Sequence, residues 1–247
     1  MATSALIVSM ALLPHPLLAS IEGAFEFIFT PQTSNVTGGK TVGGIDQVVE
    51  LTLAQLELTV FALALSLLVA LPLGLYLGHR GTGEVLAIAL GNAGRAIPEL
   101  ALIAFMAAAI GVGVLNLTIA LAVLGVPPIL TNAFVGVHQV DRASVDAARG
   151  IGMTEFEILR KVEIPLAIPT IFTGIRGATI AIVATATIAP IAGVLTLGDF
   201  IINSNVYGDN GVLAGAIVVA LLALVLEFSL AGLQRLLTSK GPKPSTA

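Results

Sequence analysis

Residues 51–77 read LTLAQLELTVFALALSLLVALPLGLYL, a stretch with one charged side chain, Glu57, near its start. An α-helix needs about 20 predominantly apolar residues to cross the hydrocarbon of a bilayer, so this stretch predicts a membrane span. Working outward, residues 84–112, 115–137, 165–197 and 212–236 satisfy the same requirement. Composition agrees: of 247 residues 56% are hydrophobic and 11% charged, against about 25% charged in an ordinary soluble domain. Neither a repeat of solenoid period nor an inverted similarity between the halves is visible. The expected fold is an all-α membrane protein, a polytopic helical bundle with five core spans.

The chain has no cysteine, which excludes disulfides and thiolate metal sites, and His15, His79 and His138 lie too far apart in sequence to suggest a metal centre. Its first Lys or Arg is Lys40, so residues 1–20 lack the positive start of a secretory signal. Interrupted by Pro14 and Pro16, they read either as one extra span or as a helix lying in the interface. Residues 30–46 turn polar and predict a solvated loop. Within it Gly38-Gly39-Lys40-Thr41 suggests a phosphate loop, but Ser34 stands where such a loop needs its earlier glycine. Residues 1–45 thus form an apolar segment and polar loop, residues 46–240 the membrane domain, and residues 241–247 a tail.

Lys and Arg favour the cytoplasmic side of a membrane protein. Arg80 follows the first core span, Arg142, Arg149, Arg160 and Lys161 follow the third, and Arg235, Lys240 and Lys243 lie at the C-terminus. The alternate connections, residues 111–116 and 198–211, contain none. These segments predict a core that starts outside and ends with a cytoplasmic C-terminus.

The charged insertion at residues 138–165 is patterned as two short helices. Asp141 can cap a first helix over residues 142–149, and Gly150 or Gly152 can end it in a left-handed conformation. Thr154-Glu155-Phe156-Glu157 then matches a capping box, and Pro165 is expected to stop the second helix and open the next span. Ala147 and Ala148 permit close backbone approach, while Phe156 and Ile158 offer apolar contact. A helix, glycine bend and helix held at a membrane face suits docking into a groove on another protein.

Asp146-Ala147-Ala148, then Gly152, then Val162, Ile164 and Pro165, resembles the coupling-loop signature of ABC importer permeases: Glu-Ala-Ala, three residues, Gly, nine residues, Ile, one residue, Leu-Pro. Asp146, Val162 and Ile164 are conservative departures from it. Pro72-Leu73-Gly74, Ile97-Pro98 before Leu100-Ala101-Leu102, Gly111-Val112-Gly113 and Gly174-Ile175-Arg176 look like landmarks of the permeases for glycine betaine, choline and carnitine. The resemblance implies a five-helix type I importer core in a prokaryotic cell membrane. It also implies a second permease chain, same or homologous, a cytoplasmic ATP-binding-cassette ATPase dimer gripping the two coupling loops, and an extracytoplasmic solute-binding protein. ATP would be used by the partner subunit, with no cofactor bound by this chain, no catalytic residue in it, and no nucleic acid among its partners. Where that subfamily commonly has Gln and a small residue, this chain has Arg95 and Glu99.

Ionisable residues at membrane depth are functional candidates, because an unpaired charge in hydrocarbon is costly. Arg95 and Glu99, at i and i+4, either line a pathway or neutralise each other. Asn132, after Pro127-Pro128, either lines the pathway or caps freed carbonyls. Arg176 can snorkel, and Asp199 and Asn203, outside, either meet a receptor or are solvated. The chain has no Trp and two Tyr, so no aromatic cage for a quaternary ammonium is evident. The alternative readings are a permease for an amino-acid-like solute and an ion-coupled secondary transporter using Glu57, Glu99, Asp199 and Glu227. An intramembrane hydrolase is disfavoured, since none of the three His has an evident nucleophile partner in a span.

Overall fold

The computed structural model describes residues 16–34, 38–85, 89, 91, 94 and 96–238. In chain order its elements are α1 (Pro16–Phe29), β1 (Pro31–Thr33), β2 (Thr41–Gly43), α2 (Gly44–Arg80), α3 (Glu99–Ile110), α4 (Val114–His138), α5 (Arg142–Gly150), α6 (Glu155–Ile158), a π turn (Leu159–Glu163) and α7 (Ile164–Ala186). A 3-10 turn (Ala189–Ala192), α8 (Gly198–Ile202) and α9 (Ser204–Leu237) complete it. Among the described residues four helices are long and apolar enough to cross a membrane: α2, α4, the run Glu155–Ala186, and α9.

Two predicted spans differ. In the second, Ile97 and Pro98 are not helical, and α3 restarts at Glu99 with Pro98 extended at its N-cap (φ −67°, ψ 115°). A proline has no N–H for the helix ladder and drives the residue before it toward extended backbone. Only 12 residues long, α3 rises about 18 Å. The fourth span leaves the α-helix after Ala186, where Pro190 lies in the 3-10 turn and Gly193 ends it left-handed at φ 76°.

The N-terminal expectations are altered too. α1 is a 14-residue helix with Pro16 in its first turn, while residues 1–15, Pro14 among them, lie outside the described residues. The polar stretch is a β-hairpin rather than a plain loop: Pro31 pairs with Gly43 and Thr33 with Thr41, antiparallel. Gly38 and Gly39 have positive φ, 58° and 92°, and Thr41 enters a strand rather than opening a helix as a phosphate loop requires.

The chain divides into two compact units, residues 1–56 with 187–222, and residues 57–186 with 223–247. The first is built on Phe27, Phe200 and Tyr207, stacked edge to face with Phe27–Phe200 and Phe200–Tyr207 centroids 5.3 and 4.9 Å apart. Ala24, Ile28, Val42, Val48, Leu51, Leu197 and Ala214 are buried with them. Gly43 (φ 75°) ends the hairpin against Phe27, and its N–H donates to Gln47 Oε1 at 2.6 Å, which ties the hairpin to the first turn of α2.

In the second unit α4 is the central post. α7 packs along it where a Cβ on Gly174 would lie 2.6 Å from Pro128 O and 2.7 Å from Asn132 Cβ. α2 approaches as closely at Gly74 and Gly78, against Ala133 and Phe134. Ser66 Oγ lies 2.8 Å from Ala62 O in its own helix and 2.9 Å from Ala122 O in α4. Small residues and hydroxyls at helix contacts are how membrane helices associate without a hydrophobic force between them.

A Cβ on Gly74 would meet Ala133 Cβ and Leu130 O at 2.7 Å each. Gly74→Val is therefore expected to lower the thermal unfolding midpoint in detergent, at a cost of about 1–3 kcal/mol from overpacking. Gly232→Ala, with open space around its Cβ, should not lower it.

Candidate functional site

The charged insertion folds as a braced pair of helices. The Asp141 carboxylate accepts from the N–H groups of Ala143 and Ser144, both at 3.3 Å, and caps α5. α5 ends in a Schellman arrangement: Gly152 N–H donates to Arg149 O at 3.0 Å and Met153 N–H to Ala148 O at 3.2 Å. Gly152 takes φ 85°, and a Cβ there would meet nothing within 4 Å, so backbone conformation rather than space selects glycine. The Thr154–Glu157 capping box is complete, with both reciprocal bonds formed.

Pro165 does not stop the second helix. The backbone runs helically from Glu155 to Ala186, widened into a π turn at Leu159–Glu163, with the Ile164 N–H bonded to Leu159 O. A proline lacks an N–H and crowds the carbonyl four residues back; the widened turn just before Pro165 accommodates both defects without breaking the helix.

The seven motif positions separate by exposure. Asp146 and Ala147 face outward, while Ala148 turns inward onto a small core of Val140, Val145 and Ile158 with Met153 and Val162 against it. Ile164 and Pro165 are half-buried at the start of α7. Ile158, expected to offer contact, is fully buried in this core. Ile151 is instead the exposed apolar side chain, at 81%, along with Phe156 at 69%. Burying two such side chains against a partner removes apolar surface from water.

Ion pairs brace the outer face. Arg149 Nε and Nη2 donate to the two oxygens of Glu155 at 2.9 and 3.1 Å, and Arg149 Nη1 to Asp146 at 3.2 Å. The Glu155 bond raises the Arg149 guanidinium above its already high range. Exposed pairs of this kind orient side chains more than they stabilise. Below them His79, near the end of α2, reaches Glu163 and Glu155. Sequence reasoning missed His79, since 84 residues separate it from Glu163 and no local pattern joins them.

A cavity of about 510 Å³ opens beside α4, lined by Gly91, Gly94, Glu99, Pro127, Asn132 and Gly177 among others. The structure thus brings the pathway candidates Glu99 and Asn132 to one cavity; Arg95 lies outside the described residues. Ile97 and Pro98 lie out of the helix, so Glu99 stands as the first residue of α3. Asn132 Nδ2 donates to Pro128 O at 2.8 Å, the carbonyl of Pro128 itself rather than the Val123 and Leu124 carbonyls that lose their N–H partners to the two prolines.

Residues 70–240 match the family model described as binding-protein-dependent transport system inner membrane component. The chain is 38% identical to the glycine betaine/carnitine/choline transport system permease protein OpuCB of Bacillus subtilis, over 75% of this chain and 86% of that protein. It is 39% identical to the carnitine transport permease protein OpuCB of Listeria monocytogenes, over 76% of this chain and 87% of that one. The chain belongs to this family of ABC importer permeases. A permease of this family is a transport component of the inner membrane, with several spanning helices, and not an enzyme. Its fold is similar to that in the inward-facing MetNI methionine ABC transporter, with a TM-score of 0.67 at 21% identity, over 79% of this chain and 98% of the other.

Other polar residues of the permease are engaged. Arg176 is paired: its Nε donates to Glu227 Oε1 at 2.9 Å, its Nη2 to the same oxygen, and its Nη1 to Gln234 at 3.2 Å, joining α7 to α9. Asp199 is buried, not solvated, and accepts from Tyr207 Oη and Asn203 Nδ2. Two of the four acids considered for ion coupling are therefore committed to internal bonds.

Thr154→Ala removes both hydroxyl contacts of the capping box and is expected to cost about 1 kcal/mol locally. Hydrogen exchange should show faster amide exchange over residues 155–158, with α4 unchanged.

Proposed function

We propose that this permease forms the translocation pathway for a small quaternary-amine osmoprotectant such as glycine betaine, choline or carnitine, driven by ATP used on separate subunits. The observation that carries the reading is the outward face of the α5–α6 pair, Asp146, Ala147, Ile151 and Phe156, held rigidly on the segment that resembles the coupling loop. That face is offered to a cytoplasmic ATP-binding-cassette ATPase dimer, with the C-terminus on the same side. An extracytoplasmic solute-binding protein delivers the cargo, and a second permease chain, same or homologous, completes the pathway. The substrate class rests on the names of the relatives. The cavity supports it: its lining combines an acidic residue, Glu99, with Asn132, Thr131 and several glycines, a setting suited to a compact cation or zwitterion.

In this mechanism the permease makes and breaks no covalent bond. It alternates between outward- and inward-open states, and the ATPase dimer biases that equilibrium by binding the two states with different affinity. ATP binding favours the outward state and hydrolysis returns the inward one.

Asp146→Lys and Gly152→Glu should abolish ATP-driven uptake in proteoliposomes while the chain still inserts into the membrane. Asp146→Lys reverses the charge that meets Arg149, and Gly152→Glu places a side chain at φ 85°. Co-purification of the ATPase should fall with both. Uptake by this chain alone, without ATPase or receptor, would overturn the proposal.

A further inference from the structure

His79 occupies the penultimate position of α2, and its ring bridges two carboxylates of one helix. Nδ1 lies 2.6 Å from Glu163 Oε2 and Nε2 lies 3.4 Å from Glu155 Oε2. The Glu163 side chain is 3% exposed and that of His79 12%, so this contact is made away from water, where an unpartnered carboxylate is costly. Glu155 precedes the π turn and Glu163 is its last residue. The imidazole therefore spans the turn that Pro165 makes necessary. Glu155 in turn holds Arg149, and Arg149 holds Asp146 on the outer face.

We propose that His79 is a positioning residue that couples the docking face to the first long span. A π turn interrupts the regular α-helical ladder and is a place where helices kink. Left unbraced, it would absorb a push on α5 and α6 before that push reached α7. With His79 in place, the push also reaches the end of α2. From there it passes through the contacts of Gly74 and Gly78 with Ala133 and Phe134 to α4, whose Asn132 lines the cavity. This inference rests on the docking role proposed above.

The test uses the complete transporter, with ATPase and receptor, in proteoliposomes, and radiolabelled glycine betaine, choline and carnitine as probes. His79→Leu keeps bulk and removes both nitrogens; His79→Asn restores a donor near the Nδ1 position. With His79→Leu, ATP hydrolysis should stay within about twofold of the unaltered transporter while solute imported per ATP falls about tenfold, the scale of a lost coupling contact. His79→Asn should recover most of that ratio. An unchanged ratio in His79→Leu, or equal loss in both variants, overturns the proposal. If His79→Leu does not assemble with the ATPase, Glu163→Gln, which removes the buried charge but keeps the shape, is read against the same two outcomes. Absence of ATP-dependent uptake of all three probes by the unaltered transporter would instead overturn the functional reading, and the brace with it.

Discussion

Lipid removes the force that ordinarily drives helices together, because hydrocarbon tails solvate Leu and Ile as well as another helix does. What remains is close backbone approach, and in the second unit it converges on α4. Gly74 and Gly78 bring α2 against it, and Gly174 brings α7, each at a distance that a Cβ would violate. Gly136 makes the reciprocal approach from α4 to Ala167 and Thr170 on α7. The cavity with Glu99 and Asn132, the continuity of Glu155–Ala186 and the placement of His79 are arranged around that post.

Where close packing stops, polar pairing takes over. α9 is the least buried of the four long helices and is held to α7 by Arg176, Glu227 and Gln234. Charged groups in such places are tolerated because they pair with one another. In the first unit the same logic appears at Asp199, buried but satisfied by Tyr207 and Asn203, with Gln47 donating on to Tyr207. The helix pair after α4 combines both devices: a small apolar core under Ala148 and Ile158, and an ion-paired outer face.

Much of this was legible because the signals are local. Apolar runs of spanning length need no partner to be recognised, and the Asp141 cap, the Gly152 turn and the Thr154–Glu157 box are interactions within a few residues. Proline is harder to read, because its effect depends on surroundings. Pro98 interrupts a span read as continuous, Pro127 and Pro128 lie inside an unbroken α4, and Pro165 is accommodated by a π turn. The same missing N–H ends a helix, is tolerated, or widens a turn according to what the neighbouring helices supply.

The amino-acid sequence by itself determined that the chain lives in a membrane, where its apolar runs lie, and the spacing of the segment that resembles a coupling loop. Each depends on composition or on contacts a few residues apart. Only the tertiary structure decided which side of each element faces out: that Ala148 and Ile158 are internal, that Ile151 is exposed, that Glu227 answers Arg176, and that His79 reaches Glu163. Those pairings join residues tens of positions apart, and periodicity along one helix carries no information about which residue of another helix will meet it.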